Sequence, residues 1–128
     1  MIYLDSSVLL ARIFAEERSP PDSFWDQPFV SSRLLQFEAF TRINTLGFAA
    51  THSAAARRII GRGTLFELSE TVLARALEPF PVPVRTLDSL HLATMVFLRA
   101  NGQSLHLASY DLRFAAAAQA LGFPLADI

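Results

Sequence analysis

The chain has 128 residues, 52% of them hydrophobic, a formal net charge of −1 and a sequence pI near 6.3. That length suits one globular domain with one core, and the near-neutral charge argues against nonspecific coating of nucleic acid, so any RNA contact should be local. Cysteine is absent and all 11 basic residues are arginine, which excludes disulfides, thiolate chemistry, Cys-based zinc sites, a P-loop lysine and Schiff-base catalysis.

Met1 to Leu4 reads as a short apolar strand that ends at Asp5-Ser6-Ser7, with a helix over Val8 to Phe14 behind that polar cap. Pro20-Pro21 and Pro28 bracket a loop. Phe29-Val30 is expected to be a second strand, with Ser31-Ser32 as N-cap candidates before a helix from Leu34 to Leu46. His52 to Ile60 is alanine-rich and helical, stopped by Gly61 and Gly63. Leu65 to Leu68 suits a third strand, and Ser69 to Leu77 a helix. Pro79, Pro81 and Pro83 forbid a regular helix, after which Thr86 can cap one from Leu87 to about Arg99. Leu105 to Ala108 is the fourth expected strand, Tyr110 to Leu121 a helix closed by Gly122, and Phe123 to Ala126 a short last strand. This βα alternation predicts a single α/β domain over 1–128, with a mainly parallel sheet between helical layers. The apolar runs fall well short of the roughly 18 residues a membrane span needs, and the start lacks a basic n-region; with the missing cysteines, this predicts a soluble, cytoplasmic protein.

In open parallel sheets, functional groups collect outside the carboxyl ends of the strands. Asp5 and Asp111 each follow a strand directly. Asp88 falls in the first turn of its helix, where it also suits the helix dipole, and Glu38 has Arg42 one turn away as an ordinary surface partner. Several carboxylates in one half-buried cleft would repel one another and stay ionised only beside a cation; a hard divalent ion with oxygen ligands is the economical choice.

Four blocks carry a more specific signal: Tyr3-Leu4-Asp5-Ser6-Ser7, Ser31-Ser32-Arg33-Leu34-Leu35-Gln36-Phe37-Glu38, Arg85-Thr86-Leu87-Asp88-Ser89-Leu90-His91-Leu92-Ala93-Thr94, and Ala108-Ser109-Tyr110-Asp111. In order and spacing they resemble the acidic motifs of PIN-domain ribonucleases of the VapC toxin type, across nearly the whole chain. The resemblance implies a three-layer α/β/α sandwich and an Mg²⁺- or Mn²⁺-dependent endoribonuclease. It also implies a homodimer restrained by a VapB-like antitoxin. It puts Asp5, Glu38, Asp88 and Asp111 in the acidic cluster. Asp5, Asp88 and Asp111 are the expected metal ligands, Glu38 acts through water, and Ser6, Ser7 and Ser109 are hydroxyl neighbours. A further acid common after the last motif in relatives is missing here, where Leu112-Arg113-Phe114 follows, so one ion is expected more readily than two.

His91 is expected to be a packed residue or a support for Asp88 rather than a ligand, because His52, His91 and His106 share no ligand spacing. Arg57, Arg58 and Arg62 form a basic strip that suits either an RNA backbone or a solvated helix face. Phe14, Phe37, Phe40, Phe97 and Phe114 are expected in the core. Phe24 and Trp25 either fold over the core or contact a partner. An aspartyl-phosphate phosphatase would need an acid at Ser7 and a lysine, so it is disfavoured. A non-catalytic PIN-like binding module is the remaining alternative.

Overall fold

A computed structural model describes residues 1–128. The elements run β1 (Ile2–Leu4), α1 (Ser6–Ile13), β2 (Phe29–Ser32), α2 (Leu34–Thr45), α3 (Ala49–Ile60), β3 (Thr64–Phe66), α4 (Glu70–Ala76), α5 (Thr86–Ala100), β4 (His106–Ala108) and α6 (Leu112–Ala120). The four strands lie in the order β3-β2-β1-β4, and every pairing is parallel. Ile2 and Tyr3 stand beside Phe29 and Val30 on one side, and Ile2 to Leu4 beside His106 to Ala108 on the other.

β1 and β2 are buried along their whole length because helices cover both faces of the sheet there. Ile2, Leu4, Phe29 and Ala108 pack with Val8 and Leu9 of α1, Leu35 and Ala39 of α2, and Ile60 of α3. The alternate residues Tyr3, Val30 and Leu107 pack with Leu92, Met95 and Leu98 of α5 and with Phe114, Ala117 and Ala118 of α6. The period-two reversal of side chains along each strand thus feeds two helical layers, and the fold is a three-layer α/β/α sandwich. No helix is long and apolar enough to cross a membrane.

Several boundaries differ from the sequence reading. Ser31 and Ser32 belong to β2, where they stand beside Leu65 and Phe66 of β3. Ser31 Oγ donates to the Leu4 carbonyl, while Ser32 Oγ still accepts from Leu34 N–H and so serves the start of α2 from inside the strand. Thr86 is the first residue of α5 and not its cap; Arg85 holds that position in an extended conformation and supplies no capping acceptor. Asp111 caps α6, which begins two residues later than expected. The segment after α6 forms only one bridge, Leu107 with Leu125, so it flanks β4 without becoming a strand. Phe24 and Trp25 lie in a 3₁₀ turn over Asp22–Asp26 and are buried in the core. Phe37 contradicts the expectation of burial at 60% exposure, because α2 turns that side away from the sheet.

Gly63 sits where the chain enters β3, and a Cβ there would lie 2.1 Å from Phe29 Cε2. Gly63→Ala is expected to cost roughly 1–3 kcal/mol in urea unfolding, with part of the loss recovered when Phe29→Leu is combined with it. Wild-type stability for Gly63→Ala would contradict this close approach.

Candidate active site

The strand order reverses direction of growth at β1: β2 and β3 add on one side and β4 on the other. The crevice beyond the carboxyl ends of β1 and β4 is therefore the topological switch point, where open α/β sheets place their ligands. Asp5 leaves β1 here, and Ser109 to Asp111 leave β4. The two chain segments are tied by Asp5 N–H donating to the Ala108 carbonyl at 3.0 Å.

Asp5 caps α1 and is 6% exposed. Its Oδ2 accepts from Ser7 Oγ at 2.6 Å and from Ser109 Oγ at 2.8 Å. Oδ1 receives no protein donor. Burial pushes the Asp5 carboxyl above the usual carboxylate range, opposed by the Ser7 and Ser109 hydroxyls and reinforced by the charge of Glu38. Ser109 Oγ also accepts from Asp111 N–H at 3.0 Å, and Ser7 Oγ from Tyr110 N–H at 2.9 Å. Two serines thus lock β1 to the loop after β4. The Ser6 side chain makes no hydrogen bond.

Asp111 Oδ1 accepts from the N–H groups of Arg113 and Phe114, an ordinary helix cap that leaves Oδ2 without a protein donor. Asp88, partly buried in the first turn of α5, takes no hydrogen bond from the protein. Its carboxyl is pushed up by partial burial, then by the negative charges of Asp111 and Asp5. Asp88 and Asp111 line one pocket of about 160 Å³ together with Pro83, Val84, Arg85 and Arg113.

Glu38 enters from α2, and its partner differs from the one expected. It pairs with His91 rather than Arg42: His91 Nε2 and Glu38 Oε1 are 2.5 Å apart. His91 is 1% exposed, and its Nδ1 lies 2.8 Å from Tyr3 Oη. Burial raises the Tyr3 pKa, keeping the phenol protonated as a donor. The two ring nitrogens of His91 are thus held between Tyr3 Oη and Glu38 Oε1. His91 therefore supports Glu38, not Asp88 three residues before it. Tyr3 is a member of the site that sequence reasoning missed; its only signal was a polar atom on a residue placed in a core strand.

The acids come from four separated segments, and their charges are felt by one another. No three carboxylate or histidine side chains stand close enough to cage an ion without rearrangement. The donor set still fits a hard divalent cation, since it is all oxygen and includes the unclaimed Asp5 Oδ1 and the unpaired Asp88. Mg²⁺ keeps several waters and is usually held by only one or two carboxylates. No protein-family model matches the chain, and no curated protein matches it.

The proposed basic strip on α3 does not form a free track. Arg62 donates to the Trp25 carbonyl, and the Arg57 guanidinium lies 5.3 Å over the Phe40 ring, leaving Arg58 as the exposed member without such a contact.

Two outcomes check this geometry. The carboxyls of Asp5 and Asp88 hold protons more tightly in the native state than in the unfolded chain. Their contribution to stability is therefore greatest below about pH 3.9 and is lost as pH rises through the raised native values. In chelator at pH 7, Asp88→Asn should melt about 1–3 °C above the parent, a modest gain because Asp88 is only partly buried, and the gap should close towards pH 4. A lower melting temperature at pH 7 would contradict the charge repulsion. His91→Ala, which removes a hydrogen-bond partner of the buried Tyr3 hydroxyl and opens a cavity, should cost roughly 2–4 kcal/mol; loss under 1 kcal/mol in urea unfolding would contradict the relay.

Proposed function

We propose that this chain is a divalent-metal-dependent endoribonuclease of the PIN-domain class, similar to VapC toxins. The observation that supports the reading is that Asp5, Glu38, Asp88 and Asp111, from four separate segments, come within reach of one another's charge. Asp88 is destabilised by its acidic neighbours and Asp5 keeps one oxygen unclaimed. Like charges gathered this way are relieved by a cation. Asp5 and Asp88 would hold Mg²⁺ or Mn²⁺, with Asp111 contributing through Oδ2. When bound, the ion supplies Lewis acidity towards a phosphate oxygen and lowers the pKa of a coordinated water.

The chain's own residues divide the remaining work. Ser7 and Ser109 fix Asp5 by holding one oxygen, so the other keeps a constant direction. The Tyr3–His91 pair orients Glu38, whose carboxyl group suits positioning an attacking water and taking its proton during phosphodiester hydrolysis. No covalent enzyme intermediate is needed.

A toxin role, with a VapB-like antitoxin and a homodimer as partners in the cytoplasm, belongs to the same proposal. An apolar groove of about 430 Å³ lies beside Glu38 and is lined by Leu34, Phe37 and Leu87. Phe37 and Leu87 are 60% and 48% exposed, which suits cover by a peptide reaching towards the acids.

The test is cleavage of a mixed cellular RNA pool by the purified protein with Mg²⁺ or Mn²⁺. Cleavage should be abolished by chelator and reduced roughly 100-fold or more by Asp88→Asn. Ser109→Ala, which frees Asp5 of one hydroxyl, should lose about 10- to 100-fold. Cleavage that persists in chelator, or in Asp88→Asn, would sink the proposal.

A further inference from the structure

Two cations beside the acidic crevice have no partner within the protein. Arg85 stands at the cap position of α5, three residues before Asp88, and Arg113 stands in the first turn of α6, two residues after Asp111. Both are exposed, and both line the 160 Å³ pocket that Asp88 and Asp111 line from the same helix ends. Neither guanidinium forms an ion pair or hydrogen bond with a carboxylate; the ion pairs of the molecule are Arg12 with Asp22, Arg33 with Glu67 and His91 with Glu38. Several other arginines are occupied: Arg62 on a carbonyl, Arg75 over Phe80 and on two carbonyls, Arg99 over Phe123 and on the Leu121 carbonyl; Arg42 and Arg58 are also unpaired but do not line this pocket.

Arg85 has a second place. It also lines a larger groove of about 470 Å³, floored by the Pro79 to Val84 segment, and so stands where that groove meets the acidic pocket. The alternating prolines Pro79, Pro81 and Pro83 stiffen this segment, so Arg85 leaves from a restrained backbone. The groove falls within the roughly 300–1,000 Å³ common for small-molecule sites, large enough for a nucleotide unit.

We infer that Arg85 and Arg113 grip the sugar-phosphate backbone of the RNA strand on the two flanks of the reacting phosphodiester, with Arg85 guiding the strand from the acidic pocket into the groove over Pro79 to Val84. The inference rests on the ribonuclease reading and assigns that reading's substrate contacts. The chemistry is complementary: acids take the cation, and guanidinium groups next to them take phosphates with two donors at once. A cleft that is only acidic would repel a polyanion, and this pair supplies local attraction without a basic overall charge.

The experiment measures binding apart from chemistry. Fluorescence anisotropy with a labelled mixed-sequence single-stranded RNA, in chelator, compares the parent with Arg85→Ala, Arg113→Ala, Arg85→Lys and the exposed control Arg58→Ala, across a salt series. Each alanine variant should bind roughly five- to tenfold more weakly and lower the slope of log affinity against log salt by about 0.7. Arg85→Lys should restore the salt slope but only part of the affinity, and Arg58→Ala should match the parent. With metal present, the alanine variants should raise KM more than they lower kcat. Parent-like affinity, slope and KM in both alanine variants, while the parent still cleaves RNA, would overturn the arginine assignment and leave the ribonuclease reading intact. A folded parent that cleaves no RNA in Mg²⁺ or Mn²⁺ but whose binding falls with each arginine would instead remove the ribonuclease reading while keeping these contacts; absence of any RNA binding would overturn both.

Discussion

Asp5 is held by two serine hydroxyls on a single carboxylate oxygen, one from the helix it caps and one from the loop beyond the neighbouring strand. Because β1 and β4 run parallel and side by side, both loops open at the same end of the sheet. Ser7 and Ser109 then convert that adjacency into a fixed carboxylate with one free oxygen. The cost is plain in the raised pKa, which burial causes and the hydroxyls oppose without cancelling. Burying the ionised form is unfavourable, and a counter-charge would relieve it.

The remaining acids are positioned by different devices around the same crevice. Asp111 is recruited as the cap of α6, Asp88 by the first turn of α5 after a proline-stiffened run, and Glu38 by a buried relay from Tyr3 through His91. Helix capping does not use up these carboxylates. A cap uses one carboxylate oxygen, as Asp5 and Asp111 both show, and the other stays available. Structural and chemical explanations of these aspartates therefore coexist.

Much of this could be read in the chain itself. The βα alternation and the apolar strands gave away the parallel sheet, since strands buried on both faces need no polar alternation. The acids that follow β1 and β4 marked the crevice in advance. Other features depend on contacts across distant segments. Glu38 and Arg42 are well spaced for a helix-surface pair, yet Glu38 turns to His91, 53 residues away in sequence and on a helix of the opposite layer. Ser31 and Ser32 look like caps, but pairing with β3 extends the strand through them. Phe37 looks like core until the orientation of α2 is known. The unpaired state of Arg85 and Arg113 is likewise invisible in sequence, because it depends on which carboxylates come within reach.

The central claim is that these acids exist to hold a divalent cation, and Mn²⁺ binding by the metal-free protein tests it most directly, since calorimetry or electron paramagnetic resonance reads the ion without any RNA. Saturable binding of Mn²⁺, competed by Mg²⁺ and lost in both Asp5→Asn and Asp88→Asn, is the result the account requires. Mn²⁺ binding of equal strength in the parent and both variants, or none in the folded parent, would contradict it.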